Sequence, residues 1–333
     1  MSNFVELSKI RHDFLRKIRS FFEERDFLEL QTPTLVSNPG LEPHLQYFET
    51  KWIPGMSRGR EERFFLPTSP EYHLKKALGH GLPRIYEIAK SFRNGEASAR
   101  HEPEFLMLEW YRSPGDYHEI ANDAVELFTY LAQEFSPHPE KWKLRKDIKV
   151  SEAFQSYAGI DLESLVNSDR HQDLAREAQK KSIPSIRGNE NFEDAFHLIL
   201  LDRIEKNLGQ NSVELLWDYP FEMAALSRRK KENPKFCERF EIYWNGFELA
   251  NAFGELTNPE EQRARFQEDQ EKRLSLYPAE KPPAIDEEML QALAEISQPC
   301  AGIAVGVDRL LQCILEKDSI QEVLLFPKRP YLE

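Results

Sequence analysis

The chain has 333 residues, 40% hydrophobic and 30% charged, with a formal charge of −13 and a sequence pI near 5.3. A chain of this length buries a sizeable core, no apolar run approaches the roughly 20 residues that span a bilayer, and the acidic balance argues against a broad, non-specific grip on a polyanion such as tRNA or DNA. Three scattered cysteines (Cys237, Cys300, Cys313) lack metal-ligand spacing, and Met1 to Glu6 has no signal-peptide character, so a reduced, cytoplasmic setting without membrane association is expected.

Ile10, Phe14, Ile18, Phe21 and Phe22 recur at helical spacing and predict an amphipathic helix over 5–25. Phe27 to Pro33 predicts a strand stopped by its proline. Residues 37–62, with Pro39, Gly40, Pro43, Pro54, Gly55 and Gly59, read as loop. Phe64 to Pro67 reads as a short strand. Thr68-Ser69-Pro70-Glu71 then opens a helix with the pattern of a capping box: a hydroxyl, an early proline and an acid three residues on. Strands over 85–93 and 104–111 flank the polar stretch 94–103, which gives a long hairpin with a charged tip. A helix follows over 117–133. Residues 150–210 read as a mainly helical insertion between two halves of a sheet, with Phe192, Phe196, Ile199 and Leu200 on one face.

Val213 to Tyr219 predicts a further strand. Arg239–Trp244 and Phe247–Ala252 flank Asn245-Gly246, a strong hairpin signal. Asn258 caps a charged helix that runs to about 274, and 278–283 is a linker. A helix over 286–296, a strand over 302–307 and a helix from Asp308 complete the chain. Two hairpins without a βαβ rhythm point to an α+β fold, an antiparallel sheet flanked by helices in a single domain over 1–333.

Three places set polar groups within apolar strands. In the first hairpin, Arg93 ends a strand where its guanidinium can meet a phosphate with two parallel bonds, and Arg100 and His101 sit on the tip. In Glu248-Leu249-Ala250-Asn251-Ala252-Phe253-Gly254-Glu255, the carboxylates are costly to bury unless paired or metal-bound; as hard oxygen ligands, Glu248 and Glu255 could hold Mg²⁺ against a triphosphate. In Gly302-Ile303-Ala304-Val305-Gly306-Val307-Asp308-Arg309, small residues admit a flat ligand and Arg309 stands at a helix start that favours anions. Each has a plainer reading as a solvated hairpin end, a wet edge strand or tight strand–helix packing. Together they suit ATP with magnesium.

Phe27–Pro33, Phe92–Tyr111 and Gly302–Arg309 resemble motifs 1, 2 and 3 of the class II aminoacyl-tRNA synthetases, in order and spacing. Thr68-Ser69-Pro70-Glu71, His101-Glu102-Pro103-Glu104-Phe105 and Phe247-Glu248-Leu249-Ala250-Asn251 resemble the lysyl branch. The lysyl enzymes carry an N-terminal OB-fold anticodon-binding barrel, and the first core helix here starts too early for one. Met107 to Arg112, and Ala304 where lysyl enzymes have glycine, are similar to the paralogous family that attaches (R)-β-lysine to a lysine of elongation factor P.

That resemblance implies ATP and Mg²⁺ as cofactors, (R)-β-lysine or lysine as substrate, elongation factor P as protein partner, no tRNA, and a homodimer through motif 1. It implies catalytic roles for Arg93 at the α-phosphate and Arg309 at the γ-phosphate. Asn94, Gly95, Glu96, Glu102, Glu248, Leu249 and Gly306 would join them around ATP, with Glu248 and Glu255 near the metal. Ser69, Pro70, Glu71, Tyr111, Asn251, Glu255 and Ala304 would line the amino-acid pocket. Two positions depart from the lysyl pattern: Gly95 and then Glu96 follow Arg93-Asn94, where that family has glutamate at once, and Glu102 replaces an asparagine. Two other readings stay open: a truncated enzyme that charges tRNA or makes a free amide, and a catalytically inactive regulator. The basic run Arg228-Arg229-Lys230-Lys231 reads as a solvated loop or a contact to an acidic partner.

Overall fold

The computed structural model describes residues 2–53, 55, 61–96, 98–166 and 172–328. Pro54 and Gly59, two markers of the expected loop, and Ala97 of the hairpin tip lie outside them. So does part of the expected helical insertion, 167–171. In chain order the elements are α1 (Ser2–Glu23), β1 (Leu28–Glu29), β2 (Phe48–Trp52), β3 (Glu62–Leu66), α2 (Glu71–Gly79), β4 (Arg84–Phe92), β5 (Glu104–Arg112), α3 (Tyr117–Phe135), β6 (Arg145–Lys149), α4 (Val150–Ala153), α5 (Asp173–Lys180), α6 (Phe192–Ile199), β7 (Val213–Pro220), β8 (Phe236–Trp244), β9 (Phe247–Gly254), α7 (Pro259–Leu276), α8 (Glu287–Glu295), β10 (Ala301–Gly306) and α9 (Val307–Ile314).

Eight strands form one sheet in the order β1-β4-β5-β10-β9-β8-β7-β6, and β2 pairs with β3 in a separate ribbon. The pairs β4–β5, β7–β8 and β8–β9 are antiparallel, as the two hairpins require. β1 against β4 and β6 against β7 run parallel, so the sheet is mixed and not purely antiparallel. By compactness the chain divides into two units, Met1–Gly115 with Thr257–Cys300 and Ala304–Glu333, and Asp116–Leu256 with Ala301–Ile303.

In the first unit the β4–β5 hairpin sorts its side chains by parity, because successive residues of a strand face opposite ways. Tyr86 and Trp110, directly opposite each other, face α1, where Phe22 stacks on Tyr86 at 4.5 Å and meets Trp110 at 5.2 Å. Ile85, Glu87, Ser91, Phe105, Met107, Glu109 and Tyr111 belong to the other face, which leaves two buried acids on it. The chain's turn into α2 differs from the expected capping box. The helix starts at Glu71 with Pro70 at the cap, so Thr68 is two residues early and Glu71 is first in the helix instead of third. Thr68 Oγ1 instead donates to Pro39 O at 2.7 Å, and Ser69 Oγ accepts from Glu71 N at 2.9 Å.

A cavity of about 470 Å³ in this unit, lined by Tyr47, Arg63, Phe65, Arg273 and Lys281 among others, holds none of the predicted site residues. Its arginines are already engaged: Arg63 pairs with Glu49 and Arg273 with Glu280.

The second unit is packed by the helical segment that the sequence marks. Phe154, Phe192, Phe196, Ile199 and Leu200 join Leu216, Tyr219 and Tyr243 in one apolar cluster. Asn245 and Gly246 both take positive φ (47° and 74°), as the two-residue turn between β8 and β9 demands. Three residues of the basic run make structural contacts: Arg228 pairs with Glu238 at 2.6 Å, Lys230 with Asp218 at 2.7 Å, and Arg229 lies over the Phe221 ring.

Candidate functional site

Two groups of side chains in the first unit stand out, one basic and one acidic. The basic group gathers at the tip of the β4–β5 hairpin. Arg93 N donates to Pro103 O, which closes the hairpin just past β4, and Asn94 N donates to Gln46 O, which ties the tip to the segment before β2. Gly95 follows with φ 82°, a left-handed turn that brings Glu96 back to 3.9 Å from Arg93. The extra glycine therefore does not carry the acid away from the arginine. The Arg93 guanidinium lies 5.4 Å from the Phe105 ring centroid, and its Nε is buried with no hydrogen-bond acceptor. A buried donor left this way costs the desolvation that a bond would repay.

Arg309 reaches the same tip from α9. Its guanidinium is 2.8 Å from His101 Nε2. The neighbouring Asp308 fixes the start of this helix: it pairs with Arg11 at 2.7 Å and accepts from Leu106 N at 2.9 Å. Burial, then Arg309, hold the His101 imidazole below its ordinary pKa; Glu96 opposes them, and Arg93 and Arg100 add to the depression. A neutral imidazole among three arginines marks a field suited to a polyanion. Glu102, expected to face ATP, is 5% exposed and accepts from Gln321 Nε2 at 2.9 Å. The same amide donates to Ser98 O, and Ile320 N donates to Ala99 O, so the C-terminal turn over Ile320–Val323 ties down the tip.

Ala304 and Gly306 are the partly exposed residues of β10, while Ile303 before them and Val305 between them are buried. A methyl group added at Gly306 would meet only Arg309 Cβ, at an ordinary 3.6 Å. The backbone there is not in a conformation that needs glycine (φ −72°). Packing among the described residues does not require glycine here, and the open space leaves room for a flat ligand laid on the strand. Gly306→Ala is expected to leave the melting temperature unchanged while raising the KM for ATP on the order of tenfold, the scale of one misfitted methyl group; an unchanged KM in pyrophosphate exchange would count against the ligand.

The acidic group lies along α2 and β5. Glu71 pairs with Lys75 at 2.7 Å, and Lys75 is 1% exposed. Glu109 is 1% exposed and accepts from Tyr111 Oη at 3.1 Å. Burial, then the charge of Glu71, raises the Glu109 carboxyl to about 8 against the opposing pull of Ser69, Tyr111 and Lys75. Glu42 belongs here too. Its carboxyl is raised to about 7, first by burial and then by Glu71. Ser69, Glu71 and Tyr111 were expected in the amino-acid pocket; Glu42 and Glu109 were missed. Glu109 had a signal, a carboxylate at the same strand parity as Tyr111 inside an apolar run. Glu42, in a loop, had none.

The second unit carries the remaining predicted residues on β9 and, in Glu255, just past its end. The β8–β9 register pairs Tyr243 with Glu248 and Ile242 with Ala250, so Leu249 is an extra, unpaired residue. Such a bulge breaks strict alternation. Glu248 opposite Tyr243 and Asn251 opposite Glu241 therefore share a face, as does Phe253 opposite Arg239. Leu249 itself is 2% exposed, which leaves its backbone and not its side chain to meet a ligand. Across from Glu248 runs a buried relay: Arg239 pairs with Glu241 at 2.8 Å, and Tyr243 Oη donates to Glu241 at 2.7 Å. Glu255 is 1% exposed, beside Ser227 through a β-bridge.

The chain belongs to the class II tRNA synthetases: the family model described as tRNA synthetases class II (D, K and N) matches residues 2–330. It is similar to the elongation factor P--(R)-beta-lysine ligase of Vibrio cholerae serotype O1, with 36% identity over 321 residues, 96% of this chain and 94% of that protein. The enzymes of the same name from Salmonella paratyphi B (35% over 318 residues, 95% and 93%) and Photobacterium profundum (34% over 326 residues, 97% and 96%) are similarly close. Among the described residues no helix is long and apolar enough to cross a membrane.

Proposed function

We propose that this chain activates (R)-β-lysine, or lysine, as an aminoacyl-adenylate and transfers it to a lysine side chain of elongation factor P. The observation that carries this reading is the division of the first unit's polar groups into a basic set and a buried acidic set. Arg93 and Arg309 suit phosphate and carboxylate oxygens, and Glu71, Glu109 and Tyr111 suit the ammonium groups of a diamino acid. The relatives' shared name supplies the acceptor.

In the first step a substrate carboxylate oxygen attacks the α-phosphorus and the bond to pyrophosphate breaks. Arg93 offers its vacant Nε–H and forked guanidinium at the phosphate or carboxylate. Arg309, held by His101, meets the γ-phosphate. Both oppose negative charge that builds in the transition state. Asn94, Gly95, Glu96 and Glu102 belong to the loop around ATP, Leu249 contributes backbone and Gly306 the flat floor. Ser69, Pro70, Asn251, Glu255 and Ala304 belong with the amino acid. Among the described residues no three His, Cys, Asp or Glu form a metal site of their own. Glu248, partly exposed, and Glu255 would hold Mg²⁺ as hard oxygen ligands, with phosphate and water oxygens completing the shell. Bound there, the ion would supply charge neutralisation on the triphosphate. In the second step the acceptor amine attacks the adenylate carbonyl, an amide forms and AMP leaves.

The test is ATP–pyrophosphate exchange with (R)-β-lysine and with α-lysine, followed by label transfer to elongation factor P or to tRNA. Exchange with a lysine isomer and transfer to protein are expected. No exchange with either isomer, or transfer to tRNA alone, would overturn the reading. A homodimer in the cytoplasm is part of the same proposal, and light scattering that gives the mass of one chain would remove the dimer from it.

A further inference from the structure

We infer that Glu42 accepts the substrate amine that lies nearer the carboxyl group, and so sets selectivity for a diamino acid over one lacking that amine. The inference rests on the reading of Ser69, Glu71, Glu109 and Tyr111 as the amino-acid pocket. Its starting point is geometric. Glu42 Oε2 is buried and accepts no hydrogen bond, although the residue as a whole is partly exposed. A buried carboxylate oxygen without a donor is costly and is kept where a ligand supplies one.

The chain is built to hold the carboxylate there. Gly40 takes φ 115°, a conformation that L side chains rarely adopt, and a methyl group on it would collide with Glu42 Oε2. The Thr68 hydroxyl is next to the same spot and is bonded to Pro39 O, which fastens the 39–42 turn against the segment leading to Ser69 and Glu71. Tyr47 Oη and Leu45 N both donate to Glu42 O, so the backbone of the turn is satisfied and the side chain is what remains.

The electrostatic neighbours separate the two ends of the substrate. Glu71, Arg93 and Asp269 act on Glu42, while Glu71, Ser69, Tyr111 and Lys75 act on Glu109. Arg93 is the group suited to the carboxylate under attack, so the acid that feels it belongs with the adjacent amine. Glu109 with Tyr111 belongs with the distal amine. Three acids and one lysine, Glu42, Glu71, Glu109 and Lys75, leave two negative charges when all four are ionised, which matches the two ammonium groups of a diamino acid.

The experiment is binding calorimetry on the full-length protein, wild type and Glu42→Gln, with three ligands. These are (R)-β-lysine, 6-aminohexanoate, which lacks the amine near the carboxyl, and 3-aminohexanoate, which lacks the distal one. Glutamine keeps the shape over Gly40, and a melting temperature no lower than that of wild type will show that the turn is intact. Loss of a charge-assisted bond predicts weakening on the order of 10- to 100-fold for (R)-β-lysine and 3-aminohexanoate. Binding of 6-aminohexanoate should stay within about twofold. Equal weakening of all three ligands would assign Glu42 a structural role and overturn the inference, as would unchanged binding of (R)-β-lysine. If wild type binds (R)-β-lysine selectively through Glu42 but shows no pyrophosphate exchange, the adenylation reading falls and the Glu42 assignment stands.

Discussion

Arg93→Ala is expected to lower kcat/KM for pyrophosphate exchange by roughly 100- to 1,000-fold, the loss typical of one preorganised charge-stabilising donor. The melting temperature should barely move. The side chain is 31% exposed, its ion pair to Glu96 spans 3.9 Å, and its cation–π contact to Phe105 is long, so little folding energy resides in it. The hairpin is closed by the backbone bond from residue 93 and its tip is tied by that from residue 94, and alanine retains both. Arg93→Lys separates charge from geometry. It restores the positive charge but not the planar fork, and should recover only part of the loss. A variant that keeps exchange within tenfold of wild type would remove Arg93 from the reaction. Arg309→Gln should show a comparable loss, with one difference: it also strips the neighbouring charge that helps keep His101 neutral, so that imidazole's pKa should rise.

The sequence made the two hairpins legible because each has a local cause. The β4–β5 strands are rich in aliphatic and aromatic residues and are separated by one polar stretch, and the turn after β8 needs two positive φ values that Asn245-Gly246 adopts readily. What escaped depends on non-local pairing. β2 was hidden within a loop-like stretch because its flanks carry the prolines and glycines, yet Phe48–Trp52 pair in full with β3. β6 is a charged edge strand with exposed side chains, the composition that protects an edge and also conceals a strand. β1 shrinks to Leu28–Glu29, since the expected strand 27–33 has only one partner, β4, and ends in proline.

The candidate site divides along the same line. Arg93, Arg309, Glu71 and Tyr111 could be found by motif, and Glu109 by strand parity. The bulge at Leu249 could not be found, because nothing in Glu248-Leu249-Ala250-Asn251 announces an extra residue. Counted as a regular strand, it places Glu248 and Asn251 on opposite faces. The register places them together. Glu42 became visible only when Gly40 and Thr68 fixed where its carboxylate lies.

The buried acids also predict how stability depends on pH. Glu42 and Glu109 have folded-state pKa values near 7 and 8, both above the ordinary carboxylate value of 4.5. The fold therefore favours their protonated forms. Their contribution is complete below about pH 4.5, where both states are protonated, falls as pH rises beyond that, and its last part is lost as pH passes 7 and 8. Other groups work outside this window. Glu104 and Asp202 have depressed values, so their contribution is lost in acid, and that of the neutral His73 and His101 fades below their free value of 6.5. Cys313, raised to about 12, matters only above its free value of 9. Between pH 7 and 9 the ligand-free melting temperature should fall by several degrees, the scale of a shift on the order of one proton over two pH units. Glu109→Gln cannot ionise and should flatten the upper part of that slope, and Glu42→Gln the lower part. A saturating diamino acid should flatten it in wild type, because its ammonium groups favour the ionised acids that the empty pocket disfavours. A slope that is the same in wild type and in both variants would show that these carboxyl groups ionise as easily in the fold as in the free chain, and the pocket would then lack the unmet negative charge that a dication needs.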